Sequence, residues 1–236
     1  PLIVAASIAA FRTSLAKFDC QGVVGHSVGE FAAAAIAGVL TDESAMQLVS
    51  VRANAMAHEA SKEPSSMAAI LGGDEAEVLS AIDAHGLTPA NFNGAGQIVA
   101  AGSKAGIAAL IASPPEKARV IELKVAGAFH SPFMLGAEGA LQAAASVVAT
   151  SDPQMTLLSN QSGQAVSSGE EFLSLLVGQV SRPVRWDKCM AAMDTLGVTL
   201  IELPPAGALS GLAKRGMPNS TAIAIKTPDD LVKIEA

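Results

Sequence analysis

Short apolar runs alternate with helical periodicities along almost the whole sequence, and that alternation points to an α/β fold. After an opening helix over 2–18, Gly22-Val23-Val24-Gly25 reads as a short buried strand, followed by Ser27 and an Ala-rich helix that stops near Gly38. Thr41 or Asp42 can cap the next helix. In it Ala45, Leu48, Val49, Arg52 and Met56 fall at i, i+3, i+4, i+7 and i+11, so Arg52 lies on the apolar stripe. From Met67 the texture changes. Strands over 67–71, 87–92, 97–101 and 120–125, with helices over 75–85 and 103–112, give the order β-α-β-β-α-β, a ferredoxin-like split βαβ unit that reads as an insertion. Beyond Gly127 the alternation resumes, with strands predicted at 155–159, 198–203 and 221–225 and helices near 134–148, 170–180, 186–196 and 208–215.

Composition narrows the function. The 236 residues suit one large domain, or one with an inserted subdomain. With 15 Lys+Arg against 22 Asp+Glu, a net charge of −7 and no Tyr, the chain lacks the basic footprint and stacking platforms of a nucleic-acid binder. Leu2 to Phe11 is about half of the ~20 apolar residues that cross a bilayer, so neither a membrane span nor a secretory signal is expected. Cys20 and Cys189 stand alone, without CxxC or a histidine cluster, which argues against a disulfide framework and a metal site and for a reducing cytosol. The first residue is Pro, and a helix is already under way, so an N-terminal segment is expected to be missing.

Gly25-His26-Ser27-Val28-Gly29 matches G-x-S-x-G between a strand and a helix, the setting of a nucleophile elbow. Small flanking residues let strand and helix approach, leaving the Ser27 hydroxyl at the helix N-terminus, where the Val28 N–H is free for an oxyanion. A helix-capping serine is the other reading, and the bare pattern arises by accident about 0.2 times in a chain of this composition. A serine nucleophile needs a base. His58 and His85 read as surface residues near helix ends, and the His26 side chain should point away from the hydroxyl. His130, in a loop between a predicted strand and helix and after the serine in chain order, is the candidate base; a solvated loop histidine is the alternative. Arg52, buried and permanently charged, must meet an anion. Glu59, two turns along the same face, and a substrate carboxylate held by a bidentate fork are equally open.

Gly25-His26-Ser27-Val28-Gly29-Glu30, Arg52, the turn from Asn91 to Gln97, Gly127-Ala128-Phe129-His130-Ser131 and Arg182-Pro183-Val184-Arg185-Trp186 together resemble the malonyl-CoA:acyl carrier protein transacylase family, across essentially the whole chain. Its discrete actinobacterial-type members are the nearest in character, with polyketide synthase acyltransferase domains sharing the motifs. The resemblance implies an α/β-hydrolase-like core over 1–60 and 128–236 with the ferredoxin-like subdomain over 61–127. It further implies that Ser27 is the acyl-accepting nucleophile and His130 its base, oriented by the main-chain carbonyl of Gln179. Arg52 would anchor the malonyl carboxylate, Val28 would donate to the oxyanion, and Asn93 and Phe129 would line the acyl site, with His26 and Gln179 in support. A second oxyanion donor would come from an N-terminal G-Q-G-x-Q loop that these residues do not contain; it lies upstream of Pro1, or the chain is inactive. Pro204-Pro205-Ala206-Gly207 stands where the family usually has a G-P-G-like turn.

The implied reaction is ping-pong transfer of malonyl from malonyl-CoA to acyl carrier protein in fatty acid synthesis, by a cytoplasmic monomer without a cofactor. Phe129 would exclude a C2 methyl, and Arg182, Arg185 and Lys188 would steer an acidic carrier, although an internal role for Arg185 is equally open. A patatin-like lipase is the rival enzyme, but its Asp-Gly is absent from the sequence; a non-catalytic interaction domain is the third reading.

Overall fold

A computed structural model describes residues 1–234 and shows a mixed α/β fold. Helix α1 (Leu2–Ala10) passes into one wide π-helical stretch over Phe11–Leu15, so the single helix expected over 2–18 is interrupted. Strand β1 (Gly22–Val24) leads through the Ser27 turn into α2 (Gly29–Ile36), and α3 (Asp42–Lys62) follows. Thr41 caps α3, its side chain accepting the Ser44 N–H at 3.0 Å. The buried residues of α3 are Ala45, Leu48, Val49, Arg52 and Met56, the stripe read from the spacing.

The β-α-β-β-α-β run is β2 (Ser65–Gly72), α4 (Glu75–Ala84), β3 (Thr88–Gly94), β4 (Gln97–Ser103), α5 (Lys104–Ala112) and β5 (Ala118–Glu122). Its strands pair antiparallel in the order β5-β2-β4-β3. Alternation decides what each face buries. Ala68, Ile70, Ile98 and Ala100 pack with Val78, Ile82, Ile107 and Leu110 of α4 and α5. Met67, Ala69, Val99 and Ala101 turn the other way, onto Ala128, Phe129 and Phe133. That second face supports the loop carrying His130. The predicted strand over 120–125 ends at Glu122; Leu123 N–H still bonds Met67 O at 2.9 Å, and the chain then turns, Val125 N–H bonding Leu123 O at 3.0 Å.

The rest of the chain supplies a short 3₁₀ turn (Pro132–Met134) running into α6 (Leu135–Ala145), then β6 (Thr156–Leu158), α7 (Gly169–Gly178), β7 (Val184–Arg185), α8 (Trp186–Asp194), β8 (Thr199–Glu202), α9 (Ala208–Gly216) and β9 (Thr221–Ala224). Strand β6 pairs parallel with β1, and β8 pairs parallel with β9. Strand β7, only two residues long, has no counterpart in the sequence reading. It pairs parallel with β3 through Asn91↔Val184 and Phe92↔Arg185, adding a fifth strand to the sheet. The main apolar cluster joins α1, α2, α3, α6 and α7 through residues such as Val4, Phe31, Leu48, Leu141 and Phe172, and holds the helices behind the Ser27 turn in place.

Candidate active site

Ser27 sits at φ +51, in the left-handed region that a non-glycine residue occupies only when its surroundings enforce it. The two motif glycines differ in what they contribute. A Cβ on Gly25 would run into the backbone of Gly29 and Glu30, so strand and helix can approach only with glycine there. A Cβ on Gly29 would meet nothing within 4 Å, so the expectation that both flanking residues must be small holds for the first alone. Ser27 Oγ lies 2.6 Å from His130 Nε2. The other imidazole nitrogen, Nδ1, is 2.7 Å from the main-chain oxygen of Gln179. A carbonyl only accepts, so Nδ1 carries the proton and Nε2 is left to accept the Ser27 hydroxyl. His130 is buried, with φ +57, and its own N–H donates to Val180 O at 3.1 Å. Burial, reinforced by the neighbouring Arg52 charge, pushes its pKa down to about 3, so the imidazole is neutral at physiological pH.

Arg52 reaches the same hydroxyl from α3. Its terminal nitrogen donates to Ser27 Oγ at 3.0 Å and to Gln179 Oε1 at 3.2 Å, and its Cζ lies 5.9 Å from the Phe31 ring centroid. Glu59 pairs instead with Lys62 at 2.8 Å, which settles that alternative. No carboxylate among the described residues makes an ion pair with Arg52, and its buried Nε has no hydrogen-bond partner. Burial lowers the guanidinium pKa to about 10, partly offset by the charge of Glu30, and leaves it protonated at neutral pH.

Two residues in this site were given no role by the sequence reading. Glu30, buried on α2, accepts the Asn160 N–H at 2.8 Å and a hydrogen bond from Gln179 Nε2. Asn160, just after β6, accepts the Ser27 N–H at 2.7 Å and donates to Gly25 O at 2.6 Å. The available signal was a lone carboxylate beside Phe31-Ala32-Ala33-Ala34-Ala35, a helix otherwise apolar and buried.

The remaining candidates spread out from this centre. The His26 side chain points away from the hydroxyl as expected, bonding Asn93 Oδ1 through Nε2 at 3.0 Å with its ring centroid 5.4 Å from that of Trp186. Asn93 is therefore engaged by His26. Phe129 is half-buried between the main core and the inner face of the sheet. Val28 stands at the N-terminal end of α2, where backbone N–H groups lack intrahelical acceptors. Of the rim cations, Arg185 is paired with Asp187 at 2.6 Å and lies over Phe92 at 4.4 Å, the internal role left open above. Arg182 is exposed and 3.8 Å from Glu138, and Lys188 is exposed. Among the described residues no cluster of three or more His, Cys, Asp or Glu could hold a metal, and no helix is long and apolar enough to cross a membrane.

Comparison with known proteins places this geometry. The acyl transferase domain family matches residues 3–227. The malonyl CoA-acyl carrier protein transacylase of Mycobacterium tuberculosis is 48% identical over 236 residues, covering 98% of this chain and 78% of that protein. The crystal structure of the Mycobacterium tuberculosis enzyme superposes with a TM-score of 0.94 at 48% identity, over 100% of this chain and 80% of that one. A malonyl-transacylase solved in complex with its type II polyketide acyl-carrier protein gives 0.89 at 29% identity, over 98% and 77%. On a match that spans nearly its whole length, the chain belongs to the acyl transferase domain family and, within it, to the malonyl CoA-acyl carrier protein transacylases.

Proposed function

We propose that this chain transfers a malonyl group from malonyl-CoA to the phosphopantetheine thiol of an acyl carrier protein through a malonyl ester of Ser27, feeding fatty acid synthesis. The observation that carries this reading is the convergence on one hydroxyl of a neutral imidazole at 2.6 Å and a buried guanidinium that forms no ion pair, at 3.0 Å. The imidazole supplies a base and the guanidinium a place for an anionic acyl group. His130 Nε2 takes the proton as Ser27 Oγ attacks the thioester carbonyl, and the oxyanion forms against the Val28 N–H. As the carbon–sulfur bond breaks, the imidazolium returns its proton to the departing coenzyme A thiolate. The carrier thiol then gives its proton to His130 and attacks the ester, the carbon–oxygen bond breaks, and Ser27 regains its proton.

Arg52 would hold the malonyl carboxylate. An acetyl group would leave that guanidinium buried without an anion, which is the stronger form of discrimination, whereas Phe129 would exclude a C2 methyl by about 1–3 kcal/mol. Asn93, bonded to His26, would line the acyl site with Phe129. Exposed Arg182 and Lys188 would guide an acidic carrier to the rim. Ser27, His130, Arg52 and Gln179 converge within one chain, so the proposed chemistry needs no second subunit and the protein is read as a monomer, and the free thiols of Cys20 and Cys189 suit a reducing cytoplasm. We read residues 1–60 and 128–236 as an α/β-hydrolase-like core, with the parallel β1–β6 pair at its elbow. Residues 61–127 form an inserted ferredoxin-like subdomain in this reading, supported by the β5-β2-β4-β3 order and by its own apolar cluster. The neighbour solved with a polyketide carrier favours a second reading, in which the acceptor belongs to a polyketide pathway. Incubation with radiolabelled malonyl-CoA should give a burst of covalent label that is lost in Ser27→Ala, and transfer rates to carriers of the two kinds decide between the readings; absence of a burst in the unaltered protein overturns both.

A further inference from the structure

Glu30 touches neither the Ser27 hydroxyl nor the base, yet every polar group that fixes the Ser27 backbone leads back to it. The strained Ser27 residue is held at its N–H by Asn160 Oδ1 (2.7 Å) and at its carbonyl by Gln179 Nε2 (3.1 Å). Asn160 is itself locked: Nδ2 donates to Gly25 O, its main-chain oxygen accepts the Arg185 N–H at 2.7 Å, and its N–H donates to Glu30 Oε1. Gln179 Nε2 donates to Glu30 Oε2, its Oε1 accepts from Arg52, and its main-chain oxygen accepts from His130. The two carboxyl oxygens thus each take one of the two residues that clamp the elbow. The Gln179 amide can serve Ser27, Arg52 and Glu30 together only in one orientation, nitrogen toward Glu30 and oxygen toward Arg52.

Building on the reading of Ser27 as nucleophile, we infer that Glu30 is a positioning residue whose carboxyl group orients the Gln179 and Asn160 amides and so holds Ser27 in its strained, reactive conformation. A buried carboxyl group on an apolar helix is otherwise a cost without return. Burial raises its pKa, and the two N–H donors on its oxygens, together with the Arg52 charge, oppose that rise by favouring the accepting carboxylate.

The test uses a fluorophosphonate, which reports the reactivity of Ser27 independently of any malonyl group. Glu30→Gln keeps the shape and the bond to Asn160 but sets one amide NH₂ against another at Gln179. Phosphonylation of Ser27 should slow by about 10- to 100-fold, the range of a misplaced reacting group. Gln179→Ala retains the main-chain carbonyl that faces His130, and adding Glu30→Gln to it should cost less than about threefold more, because the group Glu30 acts on is gone. Multiplicative effects, or a Glu30→Gln rate within threefold of the unaltered protein, overturn the inference. Glu30→Asp, one methylene too short to reach both partners, should slow the reaction at least fivefold; if the glutamine variant does not fold, an aspartate variant as fast as the unaltered protein overturns the inference by itself. Failure of the unaltered protein to take up malonyl while reacting with the phosphonate would instead count against the proposed function.

Discussion

Two buried glutamates, one on the elbow helix and one at the end of β8, have pKa values shifted in opposite directions. Glu202 is as sheltered as a core residue, and desolvation alone would raise its pKa. The Ser210 hydroxyl and the N–H groups of Ser210, Leu209 and Gly207 outweigh that and hold it below the usual carboxylate range. It is a charged cap on the N-terminus of α9, and the Pro204-Pro205-Ala206-Gly207 turn delivers one of its donors. Glu30 has two donors, one of them a side-chain amide shared with Ser27, and its pKa rises to about 8. Glu30 is the more deeply buried of the two and has fewer donors, and both differences push its pKa up relative to that of Glu202. Where the chain needs a stable helix start it surrounds the carboxylate with N–H groups; at the elbow it leaves polar groups short of partners.

If that contrast is right, changes at the elbow should cost rate and changes at Glu202 should cost stability. The largest rate effect after Ser27→Ala should come from His130→Ala, which is expected to slow malonyl-enzyme formation by about 10²–10⁴ in single-turnover measurements. Activity within threefold of the unaltered protein would return His130 to a structural residue. Arg52→Ala should lower malonyl transfer by about 10² or more and narrow the malonyl-over-acetyl preference in competition between the two thioesters. The melting temperature should fall little or rise, since the guanidinium is buried without an ion pair. A sharp fall in stability with the preference intact would make Arg52 an internal strut.

Glu202→Gln is the mirror experiment, expected to cost about 1–3 kcal/mol in urea unfolding with malonyl transfer within twofold. A large activity loss at unchanged stability would erase the contrast. The finest effect is the dependence of stability on pH. A lowered native pKa at Glu202 means that its contribution is present above the ordinary value of about 4.5 and disappears as pH falls through the native one. A raised native pKa at Glu30 has the opposite sign: the native state keeps a proton that the unfolded chain has lost, so stability declines as pH rises from about 4.5 to about 8. His130 adds to the acid limb, because the neutral native imidazole loses ground as pH falls below its ordinary value. Unfolding titrations between about pH 2 and 9 should therefore show a flatter alkaline limb in Glu30→Gln and a flatter acid limb in Glu202→Gln; unchanged limbs would refute the assigned directions.

Much of the site was legible because its signals are local or chemical. A serine between two glycines at a strand-to-helix junction, a charged residue on an apolar stripe and a histidine in a loop after a strand each carry their own physical warning, and the structure brings Ser27, Arg52 and His130 together. The role of Gln179 through its main-chain carbonyl came from the family motif, since no spacing rule reveals which carbonyl an imidazole will meet. Asn160 was invisible for a related reason: 133 positions separate it from the N–H it holds, and an asparagine after a short strand resembles any turn residue. Element order survived well, whereas ends moved by a few residues where caps and tertiary packing overrode apolar runs, as at Ser103, which caps α5 instead of beginning it. A two-residue strand such as β7 offers no alternation to detect at all.

The β3–β7 pairing ties the β2–β5 segment to the later part of the chain. Without Val184 and Arg185, β3 would present a free edge of N–H and C=O groups, ready to accept a strand from another molecule. Excising the segment as a separate piece would therefore invite self-association, even though its sequence closes on itself. During folding, that edge stays open until residues nearly a hundred positions further on have arrived, so the last rung of the sheet is also a check that the distant half of the chain has come home.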